Sequence, residues 1–230
     1  LRDLGVKTII TSPIEHHCVL HTVEALAEAD AVKMELVQLN DKGHVNLDHL
    51  QELLQHVEGP VLVTLMYANN EIGNLLPVDK VAEICAGHNA YFHSDTVQAI
   101  GHYRIDVQQT KLHFLTGSGH KFHGPKGAGF IYINSNIRLK PYIAGGAQER
   151  NMRAGTENVY GIVGLGKAVE LAYEYLDEHR AHIEEIRNHM ISRLQSEIPG
   201  VGFNGDYENG LYTVLNVSFP PSDKAALLLF

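Results

Sequence analysis

The stretch VLVTLMYANNEIGNLLPVDKVAEICAGHNAYFHSD, residues 61–95, holds two strand-like runs with a helical segment between them. Residues 61–68 are almost wholly apolar, the composition of a strand covered on both faces. Residues 77–88 carry apolar side chains at helical spacing, with Pro77 at the first turn, where a missing N–H leaves nothing unpaired. Residues 91–95 read as the next strand. Strand, helix and strand in succession form a crossover unit, which brings its two strands together in parallel.

The alternation continues in both directions. Upstream, residues 7–12 are a β-branched run, 16–29 show helical spacing through Val19, Val23, Leu26 and Ala27, and 34–39 are a short apolar strand. Residues 47–57 form an amphipathic helix on Leu47, Leu50, Leu53, Leu54 and Val57. Downstream, 112–118 and 128–133 read as two more strands. The expected fold is α/β: a mostly parallel sheet in a three-layer αβα arrangement. After Thr156 the pattern changes. Residues 158–198 are helical throughout, a helix or helix pair leaving the sheet domain, ended by Pro199-Gly200. Residues 211–219 read as a strand, and Ser222 or Asp223 can cap a helix over the rest. The expected organisation is a large domain over 1–157, a helical connection over 158–198 and the start of a small α+β domain over 199–230. A chain that opens at Leu1 and closes on KAALLLF reads as a piece of a longer protein.

Composition narrows the function classes. The 230 residues are 44% hydrophobic and carry a net charge of −9, with 27 acidic against 18 basic side chains. With no Lys/Arg run, a nucleic-acid surface is not expected. No apolar run reaches the roughly 18–20 residues of a membrane span, and the first residues lack the plan of a signal peptide. Two cysteines, Cys18 and Cys85, make no disulfide framework, so a reducing, cytoplasmic setting is expected.

In open α/β sheets, ligands bind beyond the carboxyl ends of the strands. Those ends carry Glu15-His16-His17, Asn69-Asn70-Glu71, Asp95 with Gln98, and Ser118-Gly119-His120-Lys121. A lysine amine forms Schiff bases with carbonyls, a carboxylate can hold a pyridine nitrogen protonated, and an imidazole can stack on a flat ring. Lys121, Asp95 and His16 therefore suit pyridoxal chemistry, with the Ser118 hydroxyl beside them for a phosphate. Each has a plainer reading: a solvated lysine, a helix-capping aspartate. A P-loop reading of Gly119 to Gly124 fails because Pro125 stands where Lys-Ser/Thr is needed. The 15 His include the pairs His17/His21 and His120/His123, yet no metal-binding spacing, so no metal is expected.

TxxxEH (Thr11, Glu15, His16), NNEIG (69–73), HSDTVQAIG (93–101), SGHKFHGPKG (118–127) and RNMRAGTEN (150–158) together resemble the cysteine desulfurases. These are the NifS/IscS-like members of the class V aminotransferase group, fold type I enzymes that use pyridoxal 5'-phosphate. The resemblance runs through essentially the whole chain in the same order. It implies that Lys121 holds the cofactor covalently, that Asp95 pairs with the pyridinium nitrogen, and that Gln98 hydrogen-bonds the ring hydroxyl. It further implies that His16 stacks on the ring and relays protons, that Ser118 and His120 contact the phosphate, and that Asn70 lies near the cofactor and the substrate carboxylate. Thr156 would reach the phosphate of the other subunit in a homodimer.

The implied reaction converts L-cysteine to L-alanine and leaves sulfur as a persulfide on an enzyme cysteine, for a sulfur-acceptor scaffold protein in iron–sulfur cluster or thio-cofactor assembly. The alternatives are a selenocysteine lyase or another β-lyase of the same group, and a non-catalytic domain. The family's upstream phosphate loop and downstream persulfide cysteine match nothing in residues 1–230. Cys18 aligns with no nucleophile, and Cys85 sits among Val81, Ala82 and Ile84 as a core residue would. By itself this chain is expected to release no sulfur and to bind cofactor weakly. The resemblance implies that the strand at 128–133 lies antiparallel beside the lysine-bearing strand; uncharged and proline-free, it is expected to be an edge covered by another chain or by a rearranged part of this one, or else to leave the chain poorly soluble.

Overall fold

A computed structural model describes residues 2–29 and 31–220. Its main sheet has six strands: β1 (Thr8–Thr11), β2 (Lys33–Leu36), β3 (Val61–Thr64), β4 (Tyr91–Asp95), β5 (Phe114–Ser118) and β6 (Gly129–Ile133), in the order β2-β1-β3-β4-β5-β6. All neighbours are parallel except β5 and β6, which pair antiparallel from Phe114↔Ile133 to Ser118↔Gly129. The expected α/β sheet is thus present, with the strand after the lysine turned antiparallel at its edge.

Alternation along the strands feeds two cores. On one face Ile10, Val61, Val63 and Phe92 pack against Leu50 and Leu54 of α2 (Leu47–His56) and Val81, Ala82 and Cys85 of α3 (Val78–Gly87). On the other, Ile9 and Leu62 meet Val19, Val23 and Leu26 of α1 (His17–Glu28). Phe92 is fully buried, so truncating it to alanine should cost about 3–5 kcal/mol. A third cluster, Ile100, Phe122 and Ala168, joins the lysine loop to α5 (Val159–Glu174). Asn46 caps α2 by accepting the Asp48 and His49 N–H groups, and Asn158 caps α5 through Gly161.

The later part differs in detail from expectation. The four-residue α4 (Gln148–Asn151) has left-handed backbone at Glu149 and Arg150. The helical stretch 158–198 divides at Tyr175 into α5 and α6 (Leu176–Glu197). The strand expected over 211–219 contracts to β8 (Asn216–Ser218), paired antiparallel with β7 (Gly202–Asn204), which its glycine-containing sequence had not announced. Leu211 and Tyr212 are buried instead: the Leu211 N–H donates to Gly73 O at 2.7 Å, and Tyr212 Oη lies 2.8 Å from His102 Nδ1. The helix expected from Ser222 or Asp223 lies outside the described residues.

Candidate active site

Because β1, β3, β4 and β5 run the same way, their carboxyl ends open on one side of the sheet. There His16, Cys18, Met66, Asn70, Asp95, Val97, Gln98, Ser118, His120 and Lys121 line a cavity of about 270 Å³. That is just under the roughly 300–1,000 Å³ usual for ligand pockets. Of the residues read from the sequence, His16, Asn70, Asp95, Gln98, Ser118, His120 and Lys121 come together here. Thr156 does not: it is exposed in the loop after α4. In that loop the Arg153 guanidinium donates to the Ala154 and Gly155 carbonyls.

Asp95 ends β4 and is 5% exposed. Its neighbours lock it: Ser94 Oγ donates to Leu65 O at 2.9 Å and Thr96 Oγ1 to Thr116 O at 2.7 Å, both across adjacent strands. Asp95 Oδ1 accepts the Val97 N–H at 2.9 Å, and among the described residues no cationic side chain forms an ion pair with it. Burial pushes its carboxyl above the usual aspartate range, against the Val97 hydrogen bond and the proximity of His16. A buried carboxylate without a cation is costly, which favours the neutral acid.

Lys121 rides on the 3₁₀ turn Gly119–Phe122 directly after β5. The turn is anchored by Phe122, 2% exposed. Gly119 is closely packed: a Cβ there would stand 2.8 Å from Leu165 Cδ1 and 3.0 Å from Ala128 O, so both neighbours would have to give. The N–H of Gly119 donates to Ala128 O and that of Gly124 to Gly119 O. Beside it, Ser118 Oγ and His120 Nδ1 lie 2.9 Å apart at the cavity wall.

The other wall comes from β1 and β3. The His16 ring caps α1, and Asn70 Nδ2 donates to Glu71 Oε1 at 2.6 Å. Asn69 turns inward, donating to Ile14 O at 2.8 Å and accepting the Glu71 and Ile72 N–H groups. Met66, Val97 and Cys18 were not foreseen in the wall, since nothing in their local sequence marks them. His17 stacks on His21 at 4.7 Å, and among the described residues no three His, Cys, Asp or Glu side chains group to hold a metal ion.

Lys121 and the buried, cation-free Asp95 thus stand at adjacent strand ends of a doubly wound sheet, on one cavity. Residues 5–230 match the aminotransferase class-V family, and the chain belongs to it. It is 41% identical over 223 residues to the cysteine desulfurase IscS of Clostridium botulinum (strain Hall), covering 96% of this chain and 55% of that protein. To the cysteine desulfurase IscS of Methanosarcina thermophila it is 43% identical over 228 residues, covering 99% and 55%. The structure superposes on a NifS-like protein with a TM-score of 0.88 at 39% identity, covering 96% of this chain and 60% of that one. A NifS-like protein of Rickettsia africae gives 0.88 at 31% identity, covering 98% and 61%. The chain thus spans little more than half the length of these curated relatives. Pyridoxal phosphate is the cofactor of the family. Among the described residues no helix is long and apolar enough to cross a membrane.

Proposed function

We propose that this chain carries the pyridoxal-phosphate site of a cysteine desulfurase, acting on L-cysteine. The observation that carries the reading is the Asp95 carboxyl: buried, unpaired with any cation among the described residues, and facing the same cavity as the Lys121 amine. The cofactor, when bound, supplies an electron sink for an amino acid joined to it.

Everything else falls to side chains. Asp95 would keep a proton on the ring nitrogen, and pairing with that cation would offset the burial of both. Gln98 would hold the ring hydroxyl, Ser118 and His120 would hold the phosphate, and His16 and Val97, which line the cavity, would keep water from the ring. Lys121 would hold the cofactor through its amine and, when free of it, would be the base that moves a proton at the substrate Cα. Asn70 orients the substrate carboxylate. Thr156, exposed in its loop, serves the phosphate of a second subunit in a homodimer. The parent organisation we infer is a cofactor domain over 1–157, a helical connection over 158–198 and a small domain opening at 199, as the separate β7–β8 sheet supports. A cytoplasmic setting and a sulfur-acceptor scaffold for iron–sulfur assembly complete the proposal.

The test is to incubate the chain with pyridoxal phosphate, reduce with borohydride and locate the label by mass spectrometry. Label concentrated on Lys121, and lost with Asp95→Ala, is the expected result. Label scattered over the surface lysines, unchanged in that variant, would refute the reading.

A further inference from the structure

Two hollows meet at His16 and Asn70. The cavity described above lies on one side. On the other, a second hollow of about 320 Å³ is lined by Glu15, His17, Asn69, Glu71 and Ile72 among others. His16 and Asn70 border both. A wall with open space on each side takes little of its position from packing, so its backbone must be held from elsewhere.

Two buried side chains hold it. Asn69 fastens the segment after β3 to Ile14 O. Glu15 makes the reverse tie: its Oε1 accepts from Ser12 Oγ and from the Met66 N–H, each at 2.9 Å. Glu15 is 5% exposed and directly precedes His16, while Met66 itself lines the cavity. Its Oε2 is buried with no partner among the described residues.

We propose that Glu15 is a positioning residue of this site: its carboxyl locks the segment after β1 to the segment after β3 and so fixes the His16 ring and Asn70 as the cavity wall. Only the purpose of that wall rests on the pyridoxal-phosphate reading; the lock belongs to the chain alone. Glu15 acts as a neutral acid. Burial is the main cause, raising its pKa to about 8, with the Asp95 charge adding and the Met66 and Ser12 hydrogen bonds opposing. The ionisable groups facing it are Asp95 from the end of β4 and Cys18 from α1. A neutral Glu15 leaves Asp95 as the buried carboxylate available to a cation in the cavity.

The experiment uses the 230-residue chain without cofactor, its histidine rings isotope-labelled, as wild type, Glu15→Gln and Glu15→Leu. In the wild type, the His16 ring resonances should show a titration step near pH 8 as Glu15 ionises. Glu15→Gln, which keeps an acceptor for the Met66 N–H, should hold the neutral-pH resonance and lack that step. Glu15→Leu should displace His16 at every pH while leaving His113, at the other end of β5, unmoved. Pyridoxal phosphate should then bind the wild type and Glu15→Gln alike, and Glu15→Leu about tenfold more weakly, as a displaced wall requires. An unmoved His16 in Glu15→Leu would overturn the proposal. If that variant does not fold, the same step near pH 8 in Glu15→Gln as in the wild type overturns it. If no form binds pyridoxal phosphate, the cofactor reading falls while the His16 spectra still decide this one.

Discussion

His16 closes α1 with its own ring: Nδ1 accepts the backbone N–H of Cys18 at 3.2 Å, and Cys18 Sγ lies 3.0 Å from the same nitrogen. A nitrogen that accepts does not carry the proton, so neutral His16 is protonated on Nε2. Nitrogen-15 spectra should report that tautomer. The cap also has a stability signature: His16→Ala should lose about 1 kcal/mol, and His16→Asn, a good capping residue, much less. Equal stability of the two variants would show that the ring does not cap.

Cys18 should be a slow thiol despite its exposure. Burial of the sulfur and the charges of Asp95 and Glu15 raise its pKa, outweighing backbone hydrogen bonds, so less thiolate is present at pH 8 than in a free cysteine. Iodoacetamide should label it more slowly than it labels a cysteine peptide, and pyridoxal phosphate should slow it further. Cys85, fully buried and pushed up to about 12, should not react in the native state. Rapid labelling of Cys18 that ignores the cofactor would contradict its location in the cavity wall.

His93 should shape the acid limb of stability. Its Nδ1 lies 2.7 Å from Thr64 Oγ1, and burial drives its pKa down to about 4. Below its ordinary value of 6.5 the unfolded chain binds a proton that the native chain does not bind until about pH 4, so stability falls as pH drops through that window. The full contribution is on the order of 3 kcal/mol. Glu15 works the other way: its raised pKa withdraws stability as pH climbs from 4.5 to about 8. Urea unfolding from pH 4 to 8 should show a flatter acid limb in His93→Gln and a flatter alkaline limb in Glu15→Gln. Parallel curves for all three proteins would deny both assignments.

β6 is the outer edge of the described sheet, reads GFIYI without charge or proline, and holds Ile131 57% exposed. Such an edge is a template for pairing. Sedimentation should find self-association that rises with concentration, and Ile131→Lys should reduce it. A wild-type chain that stays monomeric at high concentration, with fast amide exchange along β6, would show that the edge stands open.

The α/β sheet, the succession of strands and helices along the chain and most of the cavity lining were legible in the residues alone. Apolar periodicity is local, so 61–64, 91–95 and 47–56 could be read from their own side chains. Parallel strands share one end, so the residues after each strand could be gathered without coordinates. Thr156 was legible only through a family motif, since its proposed target belongs to another subunit. The rest came from packing in three dimensions. It buried Leu211 and Tyr212 against Gly73 and His102, shortening a strand that residues 211–219 alone suggested. It brought Met66, Val97 and Cys18 into the wall and set Glu15 behind His16 as a buried acid. The physical reason is that burial, the loss of a cationic partner and a shifted proton affinity are made by neighbours distant in the chain, and no window of sequence contains them.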